Sequence, residues 1–199
     1  MTTAIRKAEI KRKTKETDIG LALELDSTGE SHIQSGVPFL DHMLTLMAKH
    51  GRFQLALTCD GDVEIDDHHS VEDIGICMGK ALRRCLGSKA GIARFGHAII
   101  PMDDSLASAA VDLSGRSYFK IGGIELAGTV GGYHEELTAE FFRSLAANAE
   151  LNLHIIVHYG ENRHHIHEAI FKACGVALRA ACAIDGTIAG IIPSTKGTM

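Results

Sequence analysis

The chain has 199 residues, 45% of them apolar and 23% charged, with a formal net charge of −5. That is enough apolar material for one sizeable core, a charged fraction that argues against disorder, and the wrong sign for a general nucleic-acid binder. Trp is absent and aromatics reach only 5%, so Ala, Ile, Leu, Val and Met must build the core, while 12 His point towards metal or acid–base chemistry.

The start of the chain, Met1 to Lys15, is basic and polar without an apolar run, which predicts no signal peptide. No later stretch approaches the length of a membrane span. The five Cys are odd in number and form no C-x-x-C, and four lie in segments that read as helices. They are expected to be small buried hydrophobes in a reducing compartment, which predicts a cytoplasmic protein with no membrane partner.

In chain order, Ala8 to Thr14 and Ile19 to Leu25 alternate like strands, and Ser31 to Gln34 is a short extended piece. Pro38 opens a helical pattern to about His50, with Phe39, Met43, Leu46 and Met47 on one side. Phe53 to Thr58 reads as a strand, followed by a helix that begins at His68-His69. The order then recurs. Ala98 to Met102, Leu106 to Leu113 and Tyr118 to Ile121 are strand-like. Glu135 to Ala149 is helical, Leu151 to Val157 is a strand, and His165 to Ala183 is a helix.

An offset of 96 positions lays His68, His69, Glu72, Ile74, Gly79, Ala81, Leu82 and Arg83 on His164, His165, Glu168, Ile170, Gly175, Ala177, Leu178 and Arg179. Ile74, Met78, Leu82 and Leu86 match Ile170, Cys174, Leu178 and Cys182, a spacing of four that lines one helix face. The expected fold is α+β: an internally duplicated βββαβα unit, with two sheets flanking a central helix layer. No linker divides the chain, so residues 1–199 are read as one domain with pseudo-repeat halves of about 1–91 and 92–199.

Each copy carries H-H-x-x-E at a helix start. The first His and the Glu share a face, and the second His is turned about 100° away. Imidazole with carboxylate suits a divalent transition metal. Paired His at one helix start read equally well as surface or capping residues, but two copies at duplicated positions favour metal. An offset of 98 places His42 on Glu140, with the two-residue difference expected in the intervening strand. Pseudo-twofold logic then gives two sets: His42, His69, His164 and Glu168, and Glu140, His68, Glu72 and His165. His50 precedes Gly51 at a helix C-terminus, where a cation favours the helix dipole. His32, His97, His134, His154, His158 and His167 read as isolated residues in strands, loops or solvent-facing turns with structural roles. Arg94, Arg116, Lys172 and the Ser194-Thr195-Lys196 tail, which otherwise looks structureless, are candidates for an anion pocket. These parts fit a dinuclear phosphohydrolase or a metal-binding assembly protein.

Several strings resemble the imidazoleglycerol-phosphate dehydratase family: Phe39-Leu40-Asp41-His42-Met43, Asp66 to Gly75, His164-His165 through Glu168 with Phe171-Lys172-Ala173, Arg94-Phe95-Gly96, Pro101-Met102-Asp103-Asp104, Asp112 to Arg116 and Pro193 to Gly197. The resemblance covers essentially the whole chain, in order. It departs from the family's common pattern at Glu140, where many relatives have His, and at Leu46, where many have Gln.

The resemblance implies a hydro-lyase that converts D-erythro-imidazoleglycerol phosphate to imidazole acetol phosphate in histidine biosynthesis. It implies two Mn2+ per active site, held by the two sets above, and a homo-oligomer of 24 chains. Glu16, His42, His69 and Glu168 would be catalytic, with Glu16 as base. Glu16, His50, Arg94, Arg116, Lys172, Ser194, Thr195 and Lys196 would touch the phosphorylated imidazole substrate. The hydrogen to be removed has no carbonyl beside it, so the imidazole, clamped by metals, would supply the electrons for elimination.

Overall fold

Alternating burial along Lys7–Lys13 (β1) and Thr17–Glu24 (β2) puts Ala8, Ile10, Ile19, Leu21 and Leu23 on one face, and the three residues 14–16 join the two strands antiparallel. The computed structural model describes residues 6–27 and 29–199, so the first five residues of the basic N-terminal stretch lie outside it. A third strand, His32–Gln34 (β3), precedes the helix Pro38–Gly51 (α1) and the strand Gln54–Gly61 (β4). The first sheet has the order β1-β2-β4-β3, with β3 parallel to β4. The helix His68–Leu86 (α2) lies on β1 and β2.

The second half repeats this plan. Strands Phe95–Met102 (β5), Ser105–Asp112 (β6), Tyr118–Gly122 (β7) and Asn152–Tyr159 (β10) form a sheet of order β5-β6-β10-β7, with β7 parallel to β10. The helices Glu136–Ala149 (α3) and Arg163–Cys182 (α4) complete it, and α4 lies on β5 and β6. In the layer between the sheets, α1 packs on α4 and α2 on α3, so each helix meets one from the other half. The expected duplicated α+β architecture is therefore borne out.

Side-chain periodicity accounts for the layer. Leu40, Met43, Leu44 and Met47 of α1 are fully buried, as are Ile74, Ile170 and Cys174. Phe141, Phe142 and Phe171 form an aromatic cluster with ring centroids 4.8–5.7 Å apart. All five Cys are free, and the four in helices are buried. Glycines set the closest approaches. A Cβ at Gly175 would lie 2.4 Å from the Met47 carbonyl oxygen of α1, and one at Gly79 would lie 2.6 Å from that of Leu145 of α3.

Strand registers refine the repeat. Lys7 pairs with Glu24 as Phe95 pairs with Asp112, an offset of 88. From α1 to β4 the offset is 98: Pro38 stands where Glu136 stands, and Gln54 where Asn152 stands. The ten extra residues of the second half fall between β7 and α3, where Thr129–Val130 (β8) pairs with Tyr133–His134 (β9), a small hairpin that the sequence pattern did not predict. The two-residue difference is not in the strand, as expected from sequence, since offset 98 holds along all of β4. It falls in the next segment, where six residues (62–67) separate β4 from His68 but four (160–163) separate β10 from His164.

Boundaries moved where caps dictated. The α4 helix begins two residues before the expected His165, because the Asn162 side chain accepts the backbone N–H groups of His164 and His165. The tail is partly ordered: a 3-10 turn spans Gly186–Ile188, and the Gly91 and Ile191 backbones are hydrogen-bonded.

Candidate functional site

The packing of α1 against α4 brings His42, on the second turn of one helix, to His164 and Glu168, on the first turns of the other. The Nε2 atoms of His42 and His164 lie 3.2 Å and 3.1 Å from Glu168 Oε1, and the three ligand atoms are all within 4.8 Å of one another. Two imidazole nitrogens and a carboxylate oxygen suit a divalent ion such as Mn, Fe, Co or Zn. Glu168 is buried, whereas the two rings are accessible. Burial alone would raise its pKa, but the Lys172 ammonium at 2.5 Å and the two imidazoles outweigh it and hold the carboxyl down at about 2. The Lys172 Nζ also lies 3.1 Å from Met102 Sδ.

The other expected ligands are arranged differently. His69 is not part of this three-residue group. Its Nδ1 lies 3.0 Å and 3.2 Å from the two Asp62 oxygens, a bond that raises its pKa. His68 Nε2 lies 3.7 Å from Glu72 Oε2 on the same helix face. Across the repeat, the rings of His68 and His69 are 6.1 Å apart at 85°, and those of His164 and His165 are 6.4 Å apart at 87°. Each pair thus points in two directions. His165 Nδ1 contacts Asp104 Oδ1 at 2.6 Å. Glu140 is half-buried on α3 and pairs with Arg143 at 3.3 Å. Among the described residues, His42, His164 and Glu168 form the one cluster of three metal-ligating groups.

The anion candidates separate into two places. Arg94 is in the left-handed backbone region, and its side chain bonds to both Asp112 oxygens and, at 2.7 Å, to the Pro193 carbonyl. The end of the tail runs against the Gly115 turn, where a Cβ would lie 2.6 Å from the Met199 carbonyl carbon. Arg94, the exposed Arg116 and the tail carrying Ser194, Thr195 and Lys196 are therefore neighbours. Within the tail, Ser194 Oγ accepts the Lys196 N–H at 3.2 Å. Lys172 is on the other side, with Glu168. His50 also feels Lys172: desolvation of its ring and that ammonium lower it below the ordinary imidazole range. Glu16, in the β1–β2 turn, is exposed, and its carbonyl accepts the Asp62 N–H at 3.1 Å.

Sequence reasoning did not single out Asp62, Asp104, Asp112 or Met102 as partners of site residues, because each reaches its partner through tertiary contact. His167 was misplaced. It does not face solvent but is fully buried on α4, with Nδ1 3.0 Å from Thr138 Oγ1, and burial lowers its pKa to about 4. Glu135, just before α3, is buried in an ion pair with Arg163.

The sequence profile of the imidazoleglycerol-phosphate dehydratase family matches residues 35–178. The chain is 52% identical over 195 residues to the imidazoleglycerol-phosphate dehydratase of Geobacillus sp. (strain WCH70), covering 98% of this chain and 100% of that protein. The Bacillus subtilis (strain 168) enzyme gives the same identity and coverage. Among solved structures, the Staphylococcus aureus dehydratase superposes with a TM-score of 0.81 at 39% identity, covering 89% of this chain and 99% of that one. The Pyrococcus furiosus enzyme, solved in complex with (S)-C348, gives 0.82 at 37% identity, covering 96% and 100%.

Proposed function

The chain belongs to the imidazoleglycerol-phosphate dehydratase family, hydro-lyases that dehydrate imidazoleglycerol phosphate in histidine biosynthesis, and on that footing we propose that it works through two Mn2+ per active site. The observation that carries this reading is the convergence of His42, His164 and Glu168 from opposite halves. His69 would complete the first set, and Glu140, His68, Glu72 and His165 would make the second. When bound, the ions supply a template and charge stabilisation for a deprotonated imidazole ring.

The protein's own groups then have distinct tasks. Arg116, Ser194, Thr195 and Lys196 would grip the phosphate, each charge-assisted bond contributing about 1.5–3 kcal/mol. Arg94 ties the tail to Asp112 through three bonds and keeps two further N–H donors for the anion. Lys172 holds the Glu168 carboxyl down and, with His50, would also touch the substrate. Glu16 would take the carbon-bound proton, since among the described residues its carboxylate has no hydrogen-bond partner and its charge is felt at His69.

His69 and His165 lie outside the three-residue cluster and are partly exposed, which fits sharing of ligands between copies in a cytoplasmic homo-oligomer of 24 chains. The deciding assay supplies imidazoleglycerol phosphate and Mn2+ to metal-stripped protein and follows ketone formation. Release of inorganic phosphate without ketone would overturn the reading.

A further inference from the structure

We propose that Asp62 and Asp104 are positioning residues that hold His69 and His165 as Nδ1–H tautomers with Nε2 directed outward, an inference that rests on the metal-site reading above. The geometry is the same at both rings. The Asp62 carboxylate receives His69 Nδ1 at 3.0 Å and 3.2 Å, and Asp104 Oδ1 receives His165 Nδ1 at 2.6 Å. An ionised carboxylate only accepts, so the shared proton belongs to the imidazole Nδ1 and the lone pair is left on Nε2. His165 Nε2 lies 3.7 Å from Asp103 Oδ2, beyond hydrogen-bond reach.

The Asp104 carboxylate and the Asp62 backbone are themselves held in place. Asp104 Oδ2 accepts the backbone N–H groups of Glu161 and Asn162 at 2.7 Å and 2.8 Å, and the Ser105 hydroxyl at 3.2 Å. The Asp62 N–H is bound to the Glu16 carbonyl, and the Asp62 carbonyl accepts the Ile65 N–H. Ligating histidines in proteins commonly carry such a partner on the second nitrogen, which fixes ring orientation and raises basicity.

The two carboxylates are not equivalent by the repeat. At offset 88, Asp104 corresponds to Glu16, while Asp62 lies in the strand–helix loop that is longer in the first half. In the second half the turn carboxylate is committed to its histidine. In the first half the longer loop supplies Asp62 for that task, which leaves Glu16 uncommitted. One duplicated turn thus carries a positioning residue in one half and the proposed base in the other.

The test uses full-length protein stripped with chelator and titrated with Mn2+. Asp62→Ala should weaken Mn2+ binding by about 10–100-fold, and Asp62→Asn, whose amide oxygen still accepts an N–H, should recover most of it. His69→Ala is measured beside them. If Asp62→Ala binds Mn2+ like the unaltered chain while His69→Ala loses it, the positioning role is wrong and the metal reading stands. If His69→Ala also binds normally, the metal reading fails at this residue and the positioning role falls with it. Nitrogen-15 shifts of histidine-labelled, metal-stripped protein at about pH 8, above the usual imidazole range, read the tautomers without any substitution. Nδ1–H signals are expected for His69 and His165, and Nε2–H signals would overturn the proposal.

Discussion

Lys172 and Glu168 act as one unit: the ammonium lies 2.5 Å from the Oε2 of a carboxylate one helical turn before it, and both side chains are largely buried. The other oxygen of Glu168 faces His42 and His164. A cation on one oxygen keeps the whole carboxylate ionised for partners on the other. On the proposed reading, the lysine would therefore support metal binding as well as meet substrate.

Replacing Lys172 with Met should raise the Glu168 pKa from about 2 towards the ordinary 4.5. Mn2+ affinity should then fall off at higher pH than in the unaltered protein, because a protonated carboxyl is a poor ligand. Affinity measured across pH checks this. An acid limb at the same pH would show that Lys172 does not tune the site.

On the two-ion reading, His165→Ala removes a ligand of the second set from a partly exposed position, so the chain should remain folded. Turnover should fall by about a hundredfold or more, with one of two bound ions lost. Metal content and activity are measured on the same sample, and full activity with one ion missing would contradict the two-ion mechanism.

Glu140 occupies on α3 the place of His42 on α1, and its present partner is an exposed arginine at 3.3 Å. Glu140→Ala should deplete one metal and reduce turnover, and Glu140→His should retain both. Two tightly bound ions and full activity in Glu140→Ala would remove this residue from the ligand set.

Lys196→Ala should raise KM by about tenfold, or ~1.4 kcal/mol, by deleting one charge-assisted phosphate contact from an exposed tail. Unchanged KM and unchanged inhibition by phosphate would take the tail out of the pocket.

His167 gives the fold a pH dependence. Its pKa drops from 6.5 to about 4 because it is buried neutral beside Thr138. Below about pH 6.5 the unfolded chain binds a proton that the folded chain does not. Stability is thus fully present above that pH and is lost as pH falls towards 4, by about 3 kcal/mol at most. His167→Gln should flatten this part of the profile in urea titrations run with chelator. An identical slope would assign the acid sensitivity to other groups.

Periodicity in the sequence sufficed for the helices, because the four-residue spacing of Ile74, Met78 and Leu82 survives as a buried stripe. The repeated H-H-x-x-E pointed to two candidate centres, and among the described residues one group, His42, His164 and Glu168, comes together. What lay beyond the sequence was contact between distant turns. Asp104 meets His165 only once β5, β6 and α4 are stacked, and the burial of His167 depends on Phe39 and Tyr133 closing over α4. The β8–β9 hairpin has two-residue strands in a Gly-rich, largely exposed segment, too short for a period to register.

The glycine seam between α1 and α4 has a mechanical consequence. Gly175 lets the backbone of α4 rest on the carbonyl of Met47, so the spacing of these helices is set by main chain against main chain rather than by compressible side chains. His42 rides on one of them, and His164 and Glu168 ride on the other. A single methyl added at Gly175, two turns along α4 from Glu168, would act as a shim that wedges the two rods apart. The tolerance of the chemistry is thereby written into a residue that carries no functional group at all.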